Sequence, residues 1–329
     1  MSTPKSPPSE HAASIPGEPE MPTVVQNAVK PKAPVDGIVR ESRICTRARK
    51  AAGIVRHIEI DVSGTPLEGA WVSGQSFGVI PPGEDERGKA HKLRLYSIAA
   101  PTKGETGDGT VLSTTTKRMI DEDWDTHQLM LGVCSNYLCN LREGDTVRVT
   151  GPAGKRFVLP SDPGAHDYLF LATGTGIAPF RGMLMDLQDA GMPCRADLVM
   201  GTSYETDLIY DDELRAIAER HRDLVTYRTA ISRHATPDQP NRMYIQDKLE
   251  HDASDIIERL NNERTLVYVC GIAGMELGIF RAMARTLEPE ILAHYLEIDP
   301  ELLDNPDAWT RDMIPRRIKP TPRMLLEVY

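Results

Sequence analysis

The feature that most constrains this chain is a change of pattern at Pro160-Ser161-Asp162-Pro163-Gly164. Before it, Ile54–Asp61, Ser76–Ile80, Arg94–Ala99, Thr110–Thr116 and Thr146–Thr150 are short alternating or β-branched runs with Gly and Pro between them. Such runs read as short strands joined by turns, and several in succession suggest a small antiparallel β-barrel. After the break, the apolar run Tyr168–Ala172, the helical stretch Phe180–Gln188, the run Ala196–Gly201 and the stretch Asp211–Glu219 alternate. That alternation predicts a doubly wound α/β domain on a parallel sheet. The sequence therefore predicts two domains, residues 37–160 and 161–329, and 329 residues suffice for two cores.

Ahead of them, Met1 to Pro34 carries eight prolines and almost no apolar periodicity. Such a segment buries too little surface to offset its chain entropy, so residues 1–36 are expected to form a disordered tail. The first arginine is Arg40, and Glu10, Glu18 and Glu20 lie in the segment. Neither a secretory signal nor an Arg-rich transit peptide fits, which predicts a cytoplasmic location. No apolar run approaches the roughly 18 residues of a membrane span, and a net charge of -10 excludes a nucleic-acid binder relying on bulk positive charge. The five cysteines, Cys45, Cys134, Cys139, Cys194 and Cys270, point to free thiols in a reducing compartment. Cys134 and Cys139 have the spacing that opens a plant-type iron–sulfur loop, but Arg142 stands where the next ligand would fall, so no metal is expected.

Thr173-Gly174-Thr175-Gly176-Ile177-Ala178-Pro179 follows the strand Tyr168–Ala172, and Pro179 suits the start of a helix. Paired glycines there let a phosphate approach backbone N–H groups at a helix N-terminus; the rival reading is a tight structural turn. An NAD-selective site often places an acid at the end of the second strand, but here that strand ends in Met200-Gly201-Thr202. Val225–Ile231 runs instead into Ser232 and Arg233, with Arg242 and Tyr244 beyond. A hydroxyl, two guanidiniums and a ring suit a 2′-phosphoadenosine, which favours NADP over NAD. In the first half, Arg94 and Tyr96 share one face of a strand and Ser97 the other. A guanidinium for a diphosphate beside a ring for an isoalloxazine is what a flavin site requires. Gly132-Val133-Cys134-Ser135-Asn136 reads as a helix entry offering N–H groups to the same diphosphate, or as a plain capped helix start.

Taken in order, Arg94–Ser97, Gly132–Asn136, Gly151-Pro152-Ala153-Gly154-Lys155, Thr173–Pro179, Ser232-Arg233, Met243-Tyr244-Ile245-Gln246, Val269–Glu276 and the terminal Glu327-Val328-Tyr329 resemble the plant-type ferredoxin–NADP⁺ reductase family. The resemblance runs from about Arg56 to Tyr329. It implies an N-terminal antiparallel Greek-key β-barrel for FAD and a C-terminal α/β domain for NADP(H). Arg94, Leu95, Tyr96, Ser97, Lys117, Gly132, Val133, Cys134, Ser135, Thr175 and Tyr329 would hold FAD, with Tyr96 and Tyr329 on its two faces. Thr175, Gly176, Ser232, Arg233, Arg242, Tyr244, Gln246, Gly271 and Met275 would hold NADP(H). Ser97, Cys270, Glu327 and Tyr329 would surround the hydride path from nicotinamide C4 to flavin N5, without a covalent enzyme intermediate.

The implied activity is electron exchange between NADP(H) and an acidic one-electron carrier, ferredoxin or flavodoxin, steered by a basic rim of Lys89, Lys92, Arg311, Arg316, Arg317, Lys319 and Arg323. The reductase component of an oxygenase system is an alternative, as is a non-catalytic flavin- or nucleotide-binding scaffold. A scaffold would have no need of Ser97, Cys270, Glu327 and Tyr329 together. The sequence departs from the family after Lys117-Arg118-Met119-Ile120, where Asp121 replaces the usual aromatic partner of the FAD adenine; Trp124 is the nearby ring that could substitute.

Overall fold

The computed structural model describes residues 17–47 and 51–329. In chain order the first domain holds strands β1 (Val35–Ile44), β2 (Val55–Asp61), β3 (Ser76–Val79), β4 (Arg94–Ser97) and β5 (Val111–Lys117). An exposed hairpin of β6 (Ile120–Glu122) and β7 (Leu129–Leu131), helix α1 (Val133–Asn140) and strand β8 (Thr146–Ala153) complete it. Six of these strands pair antiparallel in the order β4-β3-β8-β1-β2-β5, and an Ile98–Thr114 bridge joins the two ends into a barrel. Ile58, Ile60, Trp71, Phe77, Val79, Ile98, Leu112, Val147 and Val149 fill its interior. The outward face of β2 is only partly solvated: His57 is fully buried where the second domain covers it, while Glu59 and Asp61 stay partly exposed.

The second domain runs β9 (Asp167–Thr173), α2 (Ile177–Asp189), β10 (Ala196–Thr202), α3 (Asp211–Arg220), β11 (Val225–Ile231), α4 (Ile245–His251), α5 (Ala253–Leu260) and β12 (Thr265–Gly271). It ends in α6 (Met275–Thr286), α7 (Pro289–Leu292), the pair β13 (Leu296–Ile298) and β14 (Ile318–Pro320), and β15 (Met324–Val328). The sheet order is β11-β10-β9-β12-β15, parallel throughout. Both faces are covered, so the central strands β9 and β12 carry apolar residues in succession through their middles, Tyr168–Ala172 and Leu266–Cys270, rather than alternating. On β9, Tyr168, Phe170 and Ala172 join one core with Phe180 and Leu184 of α2, while Leu169 and Leu171 join the other with Ile279 and Phe280 of α6.

The two domains meet along α2. A Cβ at Gly182 would stand 2.4 Å from the Ala100 carbonyl oxygen, so only glycine permits this approach. Asp186 accepts from the Thr102 N–H at 2.9 Å and from its hydroxyl at 2.6 Å.

The expectation of a disordered tail through residue 36 gives way over its second half, while residues 1–16 lie outside the described residues. Val29 is 3% exposed and exchanges both backbone hydrogen bonds with Gly151, at 2.8 and 2.9 Å. Asn27 donates to the Pro152 carbonyl, Gln75 Nε2 to that of Val25, and the Ser161 N–H to that of Glu20. A Pro-spaced segment lies down readily as an extended chain, and the barrel and its exit strand satisfy the backbone groups it cannot satisfy itself. The strand β1 likewise begins at Val35, ahead of the expected domain start at residue 37.

Candidate active site

The carboxyl ends of the parallel strands define one edge of the second domain, where ligands of open α/β sheets sit. There β9 ends at Thr173, and one turn of 3₁₀ helix, Gly174–Gly176, leads into α2. A Cβ at Gly176 would stand 2.2 Å from the Cys270 carbonyl oxygen, so this turn lies directly on the end of β12. Beside it, β12 and β15 set Cys270 against Glu327 and Gly271 against Val328. The last residue is pinned by its backbone: the Tyr329 N–H donates to Gly271 at 3.0 Å, and its carbonyl accepts from Ala273 at 2.9 Å. Its phenol oxygen meets Thr175 Oγ1 at 2.6 Å, yet the residue stays 58% exposed. Thr173 Oγ1 lies 3.1 Å from the Met275 sulfur at the start of α6.

The barrel presents β4 to this edge. Arg94 and Leu95 are exposed, while Tyr96 and Ser97 are half-buried. Ser97 pairs with Ser76 across β3 and β4, and Ser76 Oγ donates to Glu327 Oε1 at 3.2 Å. That bond ties the barrel to the C-terminal strand, and Ser76 is a site residue the sequence did not single out. Burial raises the Glu327 carboxyl above the usual carboxylate range, against a smaller opposing effect of the Ser76 bond. Burial, then the charge of Glu327, also raises the thiol of Cys270 well above its ordinary value, so Cys270 stands as a neutral, fully buried thiol.

Gly132 enters α1 in an extended conformation with no side-chain cap, which leaves the first-turn N–H groups available to an anion. A Cβ there would stand 2.7 Å from Ser135 Oγ and 2.8 Å from Met119 Cβ. Ser135 accepts from the Met119 N–H, and Arg118 binds Asn136 and Asn140 at 2.8 and 2.7 Å, fixing α1 to the strand that ends at the exposed Lys117. Val133 is half exposed; Cys134 is buried, with its sulfur toward the Val79 carbonyl, and Cys139 points to that of Thr116. Trp124 stands 91% exposed in the β6–β7 turn.

At the far end of the same edge, Ser232 donates to the Thr202 carbonyl oxygen from both its N–H, at 2.9 Å, and its hydroxyl, at 3.1 Å. Arg233 and Arg242 follow with exposed side chains, and Tyr244, 60% exposed, begins α4 with its N–H on Asp247 at 2.8 Å. Gln246 lies against Gly278 of α6, where a Cβ would come within 3.1 Å. A cavity of about 510 Å³ lined by Glu18, Glu20, Asp162, His166 and Arg264 opens at the opposite, amino-terminal ends of β9 and β12 and takes no part. The basic rim is smaller than its sequence suggests: Arg323 is 4% exposed and binds the Asn262 and Thr265 carbonyls. Arg311 pairs with Glu276, and Arg317 with Asp299 and Glu301.

A barrel edge meeting the ligand edge of a doubly wound domain defines a two-domain nucleotide-binding oxidoreductase, and residues 170–279 match the family profile described as an oxidoreductase NAD-binding domain. The ferredoxin–NADP reductase of Synechocystis sp. is 38% identical over 280 residues, 84% of this chain and 67% of that protein. The enzyme of the same name from Thermosynechococcus vestitus is 41% identical over 78% of this chain and 67% of its own length. The chloroplastic leaf isozyme 1 of Arabidopsis thaliana is 39% identical over 78% and 71%. A solved ferredoxin–NADP⁺ reductase from Plasmodium falciparum shares the fold, with a TM-score of 0.68 at 21% identity, covering 94% of this chain and 100% of that one. The chain belongs to the ferredoxin–NADP reductase family.

Proposed function

We infer that this protein is an FAD-dependent oxidoreductase that exchanges electrons between NADP(H) and ferredoxin. Family membership carries the reaction class. The convergence of Ser97, Cys270, Glu327, Thr175 and Tyr329 where barrel meets sheet carries the assignment of residues. Flavodoxin is a second carrier of suitable chemistry. A non-catalytic scaffold fits less well, because it has no use for a buried thiol and carboxyl at that junction.

The residues present fit FAD. The strand Arg94–Ser97 leaves a guanidinium and an aromatic side chain on one outward face, and α1 offers uncapped N–H groups beside it. Arg94 and the N–H groups of Val133, Cys134 and Ser135 would hold the FAD diphosphate, Tyr96 and Tyr329 would stack on the ring system, and Lys117 and Leu95 would complete the site. FAD supplies the ability to take two electrons from a nicotinamide and release them singly. Ser232, Arg233, Arg242, Tyr244 and Gln246 grip the 2′-phosphoadenosine end of NADP(H), while Gly176, Gly271 and Met275 leave room for its nicotinamide half along the strand edge. Tyr329 covers the place the nicotinamide must take and has to swing aside. Ser97 positions a hydrogen bond at the reacting edge, Cys270 keeps the nicotinamide pocket small and dry, and Glu327 is held by Ser76 beside both.

The division of labour between residues 37–160, for FAD, and 161–329, for NADP(H), belongs to the same reading. So does a cytoplasmic location, which draws on five cysteines that all stand as free thiols. Among the described residues no helix is long and apolar enough to cross a membrane. Lys89 and Lys92, exposed just ahead of Arg94, are the basic residues best placed to steer an acidic carrier.

The test is the visible spectrum of the purified protein and its anaerobic bleaching. Flavin bands that bleach rapidly with NADPH and slowly with NADH, followed by ferredoxin reduction that slows with added salt, are the expected result. A colourless protein, or a preference for NADH, overturns the reading.

A further inference from the structure

We propose that Glu41, His57 and Glu59 form a binding site for a divalent transition metal of the zinc class at the junction of the two domains. Among the described residues they are the one cluster of three such side chains, each offering a ligand atom within 4.8 Å of the others. The sequence hides it, because Glu41 lies on β1, far in sequence from His57 and Glu59 on β2.

The arrangement follows from register. β1 and β2 are antiparallel, and an irregularity between Val39 and Glu41 sets Glu41 directly opposite Glu59. Two carboxylates directly opposite on one sheet face repel each other and weaken the pairing unless a cation or proton lies between them. His57, two residues before Glu59, projects from the same face. Its Nδ1 is engaged by the Tyr210 hydroxyl at 2.7 Å, and that hydroxyl also meets Thr115 Oγ1. This leaves Nε2 facing Glu59 Oε1 at 3.4 Å and Glu105 Oε1 at 3.8 Å. Both separations exceed the roughly 2.7–3.2 Å of a good N–H···O bond. Ligands on a tetrahedral Zn²⁺, with bonds of about 2.0–2.1 Å, stand about 3.3–3.4 Å apart, the separation His57 and Glu59 already have.

The surroundings suit a metal. Nδ1 is oriented by a hydrogen bond, the outer-shell support that ligating histidines almost always have. His57 is 1% exposed, Glu59 21% and Glu41 45%, so one ligand is fixed, one is restrained and one opens to solvent as an entry path. Glu41 must draw in by about an ångström, and Arg43, 3.6 Å from Glu41 Oε2 and half exposed, must swing outward. Arg181, the other nearby cation, is already taken by Glu105 and Glu213. An ion here would clamp β1 to β2 and fix the ring of His57, whose Nδ1 already meets Tyr210 at the start of α3.

The experiment is calorimetric titration of the chelator-treated, tag-free holoenzyme with zinc chloride alone, repeated with Glu41→Gln. The expected result is saturation at one Zn²⁺ per chain and a raised melting temperature, with affinity lowered at least about tenfold in the variant. Glu41 is half exposed, so the variant should keep its fold, its flavin spectrum and its metal-free turnover. Co²⁺ in place of Zn²⁺ should add absorption beyond the flavin bands in the parent and not in the variant. No saturable binding by the parent, or equal binding by Glu41→Gln, overturns the proposal. Neither outcome bears on the flavin reading, which the metal-free spectrum and turnover test separately.

Discussion

Thr175 Oγ1 and Tyr329 Oη stand 2.6 Å apart, so the ring of the last residue is held by a side-chain hydrogen bond as well as by its backbone. If that ring covers the nicotinamide position, displacing it costs the bond, a net of about 0.5–1.5 kcal/mol. Thr175→Val should therefore tighten NADP⁺ binding by roughly 2- to 10-fold, and Tyr329→Ser by more. Binding of 2′-phospho-AMP, which lacks the nicotinamide, should not change in either variant. Spectral titration of both ligands checks this, and an equal effect on both would place Tyr329 elsewhere in the site.

Arg233 follows a strand end whose Ser232 is fixed by two bonds to Thr202, and its own side chain is exposed with room to meet a phosphate. A hydrogen bond to a charged group contributes about 1.5–3 kcal/mol. Arg233→Ala should lower kcat/KM for NADPH by roughly 10- to 100-fold while leaving that for NADH nearly unchanged. Diaphorase kinetics with both nucleotides decide it. An equal loss with both would mean the arginine supports the loop rather than reading the 2′-phosphate.

Much of this was legible because it is local. The Thr173–Pro179 turn is recognisable wherever a strand, two glycines and a helix follow one another, and the structure builds it that way. Local pattern could not show that the Pro-rich segment around Val29 finds its backbone partners on Gly151. Nor could it show Ser76 reaching Glu327, 251 positions away, or Arg323 lying among carbonyls instead of on a basic rim. β1 escaped notice because its buried positions, Gly37 and Val39, alternate with Asp36, an exposed Ile38 and Arg40, a pattern resolved only by its two neighbouring strands.

Burial raises the Glu327 carboxyl above its unfolded value. The folded state then binds the proton more tightly than the unfolded one. The resulting stabilisation is present below the unfolded pKa and is lost as pH rises through the folded one. Glu327→Gln keeps an acceptor for Ser76 Oγ but removes the buried charge. Its melting temperature should exceed that of the parent above the carboxylate range, and the difference should vanish in acid. Thermal unfolding across pH checks the sign, and a variant less stable at high pH would mean Ser76 compensates the carboxylate fully.

Arg181 is a buried cation at the domain junction, and it is fully engaged. Its guanidinium binds Glu105 at 2.6 and 3.1 Å, the Ala99 carbonyl at 3.0 Å and Glu213 at 3.0 Å, and it lies 5.0 Å from the centre of the Tyr210 ring. It is 5% exposed, so Arg181→Met would leave Glu105 buried without its main counterion, at a cost of about 3–5 kcal/mol. Lysine offers a point charge in place of a fork and should recover only part of that loss. Neutralising both partners removes the stranded charge, so Arg181→Met with Glu105→Gln should be more stable than Arg181→Met alone. Because these residues join α2 to the barrel, the single variant should also split denaturant unfolding into two transitions as the domains lose their coupling. A single transition with a loss under about 1 kcal/mol would mean the pair is screened by water and does not hold the junction.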